Sequence, residues 1–407
     1  MKTQEQLTEK KIECGMFKWP FSDVSSRLEA SAIREILKIS NKPDIINFAG
    51  GLPAPELFPV ERIRECVNYV LDHHAGQALQ YTLTQGVPEL RELIAESASK
   101  KGLPVALENI QITTGSQQGL DLVARAFIDP GDYVLTERPT YLGALQAFNF
   151  YQARYCTVDM DDEGILVEQV EDQIKAHNPK FIYVVPNFQN PSGITMKLER
   201  RKELIRLAFE YQIPIVDDNP YGELRYSGSP KPSLRGLGGD AVIQLGTFSK
   251  LISPGLRVGW IVAPTAALKV IEKAKQGADL HSTTFSQYVI YEFMRRGWLE
   301  EHIEVVKEAY ARRRDVMLKA LEEYFPDDVR WPHPHGGLFL WIQLPEKVSA
   351  TKMFEDAVAE KVAFVPGRPF HPNGGGDNTF RLNFATSSEE MILEGVKRLA
   401  KVVKRYC

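Results

Sequence analysis

Only four cysteines occur in 407 residues, and Cys14, Cys66, Cys156 and Cys407 lack the spacing of a metal site or a disulfide framework. They fit a reducing cytoplasm, and no metal is expected. Met1 to Lys11 has no apolar core and no small-residue cleavage site, so no secretion signal is expected there. Apolar runs long enough to span a bilayer are missing, because Gly, Pro or charge interrupts each one. Blocks of like charge are missing as well, and the net charge is only -4, which disfavours nucleic acid and anionic membrane as partners. There is no internal repeat, and the low-complexity content is one short turn, Asn373 to Asp377. What remains is an ordinary globular composition, 43% hydrophobic and 25% charged, long enough for two packed domains and suited to a small-molecule partner.

Short β-branched or aromatic runs alternate with helical stretches through the middle of the chain, at 109–114, 133–136, 181–186, 214–218, 242–246 and 258–263. That rhythm predicts an α/β fold with a mostly parallel sheet covered by helices on both faces. The last third changes character. A charged helical region from Glu300 to Tyr324 precedes strand-like runs at 337–344, 361–365 and 379–385 and a closing helix from Ser387 to Arg405, which predicts a smaller α+β domain. Ser25 to Ser40 has the spacing of an amphipathic helix, with Leu28, Ile33, Ile36 and Leu37 toward one side. The expected divisions are an N-terminal arm and covering helix, 1–48, a large domain, 49–290, and a small domain, 291–407.

In such sheets ligands bind at the carboxyl ends of the strands, which directs attention to the residues after each run. Lys250 follows one of them, among the hydroxyls of Thr247, Ser249 and Ser253, with Arg257 close behind. An amine whose pKa is lowered can form a Schiff base, while hydroxyls and a guanidinium suit a phosphate monoester. Pyridoxal phosphate (PLP) needs both. Taken alone, the segment fits a strand ending in a polar surface turn equally well. Gly115-Ser116-Gln117 opens a helix whose free N–H groups make an anion site, although a plain glycine turn also accounts for it. Asn190, held by the proline after it, can donate to a phenolate. Asp217 and Asp218 end a strongly apolar run, where a buried carboxylate needs a cation such as a protonated pyridine nitrogen.

With these pieces in order, the chain resembles the fold type I PLP-dependent aminotransferases of class I, most of all the 2-aminoadipate and kynurenine group. The likeness rests on Phe48 to Pro53, Leu79 to Tyr81, Thr113 to Gln118, Asn187 to Gly193, Asp218 to Tyr221, Thr247 to Gly259 and Phe380 to Leu382, nearly the whole chain. It implies Lys250 as the Schiff-base lysine and proton shuttle, Asp218 as partner of the pyridine nitrogen, and Asn190 and Tyr221 at the phenolic oxygen. Tyr141 matches the ring-stacking aromatic. Ser116, Gln117, Thr247, Ser249 and Arg257 match the phosphate cup. Tyr81 matches a tyrosine that reaches the phosphate from the neighbouring subunit, which implies a homodimer with shared sites. Arg381, with Gly51 and Asn190, matches the receptor for the substrate α-carboxylate.

Ser31 and Arg34, three apart on the expected N-terminal helix, match the pair that holds the distal carboxylate of a dicarboxylic substrate; a solvated helix arginine paired with Glu29 or Glu35 is the plain alternative. The resemblance thus implies a cytoplasmic transaminase acting on an amino acid and a 2-oxo acid. 2-Aminoadipate with 2-oxoglutarate is the first expectation, and glutamate, leucine and aromatic amino acids are further ones. A PLP-dependent lyase or decarboxylase on the same cup is the alternative within the fold. A ligand-sensing regulator with an aminotransferase-like domain is the alternative from another class, and it requires a DNA-binding domain ahead of Phe48 for which the sequence offers no room.

Overall fold

A computed structural model describes residues 19–25, 36, 42–103 and 105–407. After β1 (Ile46–Asn47), the strands of the main sheet are β2 (Ile110–Thr113), β3 (Tyr133–Arg138), β4 (Arg154–Asp161), β5 (Gly164–Ile165), β6 (Ile182–Val184), β7 (Ile215–Asp218), β8 (Val242–Thr247) and β9 (Gly259–Val262). They lie in the order β2-β9-β8-β7-β6-β3-β4-β5. From β8 to β4 neighbouring strands are parallel, as expected of buried β-branched runs joined by helices. β9 runs antiparallel to both β2 and β8, and β5 antiparallel to β4.

Alternation along a strand sends successive side chains to opposite faces. Phe181, Tyr183 and Val185 join one apolar cluster, whereas Ile182 and Val184 join another. Helices α1 (Val60–Ala78), α2 (Pro88–Lys100), α3 (Ser116–Phe127) and α4 (Leu142–Phe150) precede α5 (Val167–His177), α6 (Leu198–Tyr211) and α7 (Leu234–Gly238). Leu120 and Val123 of α3 cover the first face, and Val170 of α5, Leu204 of α6 and Leu234 of α7 cover the second. Both faces of the sheet are therefore closed to water.

Next come α8 (Thr265–Gln276), α9 (Thr284–Arg295) and the 27-residue α10 (Trp298–Tyr324), then β10 (Phe339–Gln343), α11 (Ala350–Ala359), β11 (Val362–Ala363), β12 (Val365–Pro366), β13 (Thr379–Asn383) and α12 (Glu389–Tyr406). β10, β13 and β12 form an antiparallel sheet. The closing helix α12 shows why this region holds. The Ser388 side chain caps it, Glu389 and Glu390 sit in its positive first turn, and Lys404 and Arg405 in its negative last turn. Its buried face carries Ile392, Val396, Leu399, Val402 and Val403, each contributing roughly 1.5–3 kcal/mol by burial. β1 crosses from the N-terminal side and pairs in parallel with β11, Ile46 opposite Val362 and Asn47 opposite Ala363. The expected helix at Ser25 to Ser40 lies almost wholly outside the described residues. No helix among the described residues is long and apolar enough to cross a membrane.

Candidate active site

β7 is buried along its length, and its last two residues are adjacent carboxylates on opposite faces. Asp217 Oδ2 accepts a hydrogen bond from Gln244 Nε2 at 2.9 Å on one side. On the other, Asp218 Oδ2 accepts from the Tyr183 hydroxyl at 2.8 Å. Asp218 Oδ1 is buried with no hydrogen-bond partner among the described residues. Burial pushes the Asp218 carboxyl up to about 7, with Asp217 adding repulsion and the Tyr183 bond opposing the rise. A donor that also carries positive charge is what this carboxylate lacks.

Lys250 follows β8, and its Nζ donates to the Gly51 carbonyl at 2.8 Å. Burial, then the charges of Arg381 and Arg257, bring its ammonium down from 10.5 to about 8. A free amine is thus accessible near neutrality, the state in which a lysine attacks a carbonyl. Arg257, between the short turn Pro254–Leu256 and β9, packs over the turn at the start of α3. Gly115, at φ 75°, precedes Ser116, the first residue of that helix. A Cβ on Gly115 would lie 2.5 Å from the Arg257 guanidinium, so only glycine lets the arginine close over this turn. Arg257 Nη2 donates to Thr114 O at 3.2 Å. The Thr247 hydroxyl donates to Ser249 Oγ at 3.0 Å, which places both hydroxyls beside the loop of Lys250. Gln117 donates to Gly143 O at 2.7 Å, tying α3 to the first turn of α4.

Tyr141 is the residue before α4. Its ring lies over Gly143, where a Cβ would come within 2.5 Å of it. Burial and the nearby Asp218 push its hydroxyl up to about 12, against the pull of Arg381 and Arg257. Tyr221, whose hydroxyl burial and Tyr141 hold well above the ordinary range, sits 3.5 Å from Asn190 Nδ2. Asn190 Oδ1 accepts from Arg381 Nη1 at 2.8 Å, and Arg381 Nη2 donates to Ala49 O at 2.8 Å. Arg381 is 1% exposed between the rings of Phe339 and Phe370, at 4.3 and 5.3 Å. Among the described residues its Nε has no partner, and its two Nη groups bond only neutral oxygens. Burial lowers its pKa to about 10. A guanidinium placed this way favours a carboxylate guest.

Through these bonds and charges the structure brings Lys250, Asp218, Tyr221, Asn190, Tyr141, Gly51 and Arg381 into one neighbourhood, with Arg257 close both to Lys250 and to the turn before Ser116. Tyr81 is not among them. It is 77% exposed and meets His281 edge-on at 5.6 Å. Ser31 and Arg34 lie outside the described residues. Tyr183 and Glu137 escaped the sequence reading. A phenol inside the run Phe181 to Val185 was the available signal for Tyr183. Glu137 Oε2, buried beneath the same loops, accepts from Val185 N and Gln189 Nε2 at 3.1 Å each. A cavity of about 610 Å³ lies elsewhere along β8, lined by Asn219, Gln244, Thr247 and Trp260 but by neither Lys250 nor Asp218. Converging chemistry, not volume, locates the site.

The family model described as "Aminotransferase class I and II" matches residues 43–399. The chain belongs to this family. Among similar proteins is aromatic-amino-acid aminotransferase 1 of Thermococcus litoralis, 47% identical over 94% of both chains. The kynurenine aminotransferase of Pyrococcus horikoshii, solved in complex with PMP, superposes with a TM-score of 0.91 at 46% identity, covering 95% of this chain and 97% of that one. The α-aminoadipate aminotransferase LysN of Thermus thermophilus, solved with N-(5'-phosphopyridoxyl)-L-leucine, gives 0.89 at 43% identity, covering 95% and 97%. This aminotransferase uses pyridoxal phosphate. The residues present fit that cofactor: the open Asp218 oxygen suits a protonated ring nitrogen, and the glycine-backed turn with Arg257 suits a phosphate.

Proposed function

We propose that the site carries out transamination between 2-aminoadipate and 2-oxoglutarate, with glutamate, leucine and aromatic amino acids as further substrates. The observation carrying the reading is the convergence of a neutralisable Lys250 amine, the half-satisfied Asp218 carboxylate and the Arg381 guanidinium, which among the described residues has only neutral partners. Ser116, Gln117, Thr247, Ser249 and Arg257 hold the phosphate, Asp218 the ring nitrogen, Asn190 and Tyr221 the phenolic oxygen, and Tyr141 the ring face. The bound cofactor supplies a carbonyl and an electron sink. Lys250 Nζ takes and returns the proton at the substrate Cα. Arg381, with Asn190 and the Gly51 backbone, orients the α-carboxylate. Ser31 and Arg34 receive a distal carboxylate.

The same reading makes the protein a cytoplasmic homodimer in which Tyr81 serves the partner's site. Its exposure, shared with Leu79, Leu83 and Leu280, supports a covered face there. Residues 49–290 form the large domain and 291–407 the small one, with 1–48 as arm and cover. A substrate panel with 2-oxoglutarate as acceptor tests the specificity. Transamination undiminished in Lys250→Ala would overturn the mechanism. Arg34→Ala should raise KM for 2-aminoadipate more than for leucine, and equal effects would remove the distal-carboxylate role.

A further inference from the structure

Lys275, near the end of α8, is 0% exposed, an unusual position for an ammonium. Its three protons are all used: Nζ donates to Gln118 Oε1 at 2.7 Å, to Asp279 at 2.8 and 3.0 Å, and to Ser282 Oγ at 3.0 Å. Each acceptor leads to Thr114. Gln118 Oε1 also accepts the Thr114 N–H at 2.8 Å, Asp279 Oδ2 lies 3.0 Å from the Thr114 hydroxyl, and Ser282 Oγ lies 2.9 Å from it. Gln118 Nε2 closes the ring by donating to Asp279 Oδ2 at 2.6 Å. The carbonyl of Thr114 then accepts from Arg257 Nη2 at 3.2 Å, directly before Gly115 and the first turn of α3.

Lys275 and Ser282 are buried while the Asp279 side chain is 28% exposed, and a network whose members are all satisfied around a buried ammonium holds them in one arrangement. From this geometry we infer that Lys275 and Asp279 are positioning residues for the phosphate cup, setting how tightly it grips phosphate by fixing the peptide that carries Thr114. Neither residue touches the phosphate. The inference rests on the cup reading of Ser116 and Arg257 given above. It also explains why a buried ammonium stands where an apolar side chain would fill the space at less cost in desolvation.

The test uses a Lys275→Met/Asp279→Leu double variant, which removes both charges and leaves none unpaired. Titration of the apoenzyme with pyridoxal phosphate should show binding weaker by about tenfold, the scale of one lost charge-assisted bond. Inorganic phosphate should compete correspondingly less well. Pyridoxal, which lacks the phosphate, should bind the variant and the parent alike, and kcat at saturating cofactor should stay within about twofold because the Lys250 end is untouched. Unchanged affinity for pyridoxal phosphate would overturn the inference, and so would an equal loss for both ligands, the mark of general loosening. Thr114→Val, which deletes one hydroxyl, should show the same phosphate-specific loss at smaller size and decides the matter if the double variant does not fold. Arg257→Met is the control. Should it bind pyridoxal phosphate normally, the cup reading fails; should it lose binding while the double variant does not, only the role of Lys275 fails.

Discussion

Glutamine at position 137 should stabilise the protein, and by more as pH rises. Glu137 is 1% exposed, and burial raises its carboxyl from 4.5 to about 8, assisted by Asp218 and opposed by the bonds from Val185 and Gln189. A folded-state pKa above the unfolded one means that the fold binds the proton more tightly. The contribution is complete below about pH 4.5 and is lost as pH climbs through about 8. Because pH 7 lies about 2.5 units above the unfolded pKa and below the folded one, keeping the carboxyl protonated in the fold costs about 3 kcal/mol at ~1.4 kcal/mol per unit. Glutamine imitates the protonated acid, because its amide oxygen keeps both acceptor bonds and carries no charge. With an unfolding entropy of about 2.1 cal/mol/K per residue, that gain is worth about 3–4 °C in a chain of this length. Calorimetry of cofactor-saturated Glu137→Gln and parent, at pH 5, 7 and 8.5 and one scan rate, should give a Tm difference of about 1 °C, then about 4 °C, then about 5 °C as it nears its plateau. A difference that does not change with pH, or a variant less stable at pH 8.5, would refute the reasoning.

Tyr183→Phe removes the bond that holds the Asp218 carboxyl down, so that carboxyl rises further above about 7. The acidic limb of the kcat/KM profile should move up by about one unit, the equivalent of a hydrogen bond to a charged group; an unmoved limb would show that Asp218 is not tuned by this phenol. Arg381→Lys exchanges a planar fork for a point charge between two rings. KM should rise about a hundredfold for every amino acid tested, with kcat changed far less. A KM that rises for dicarboxylic substrates alone would place Arg381 at the distal end instead.

The strands of the main sheet were legible because burial on both faces leaves nearly continuous apolar runs, as in β7 and β8. β4 was not, since Arg154 to Asp161 alternates buried Cys156 and Val158 with polar neighbours, as a strand near the sheet's edge does. The reversed direction of β9 was invisible as well: periodicity states which face a residue takes, not which way its strand runs. Lys250, Asp218 and Asn190 could be found because each lies at or beyond the carboxyl end of a strand. Glu137 and Lys275 could not, and Tyr183 offered only its phenol in an apolar run, because their importance comes from partners far away in the chain; Lys275 and Gln118 are 157 residues apart. A buried lysine inside a charged helix has no signature of its own.

The pairing of β1 with β11 bears on the order in which the molecule can be completed. Arg381 takes its grip on Ala49 across 332 residues, and Asn383 reaches back to the Gly50 carbonyl. As the chain leaves the ribosome, the segment around Gly51 waits, with its partners unmade, for nearly the whole remaining length to be synthesised. A C-terminal fragment starting at residue 291 would lack the Ala49 carbonyl that Arg381 Nη2 holds. The setting of Arg381, proposed above to receive the substrate carboxylate, is thus a late product of folding, closed only when segments 332 residues apart meet.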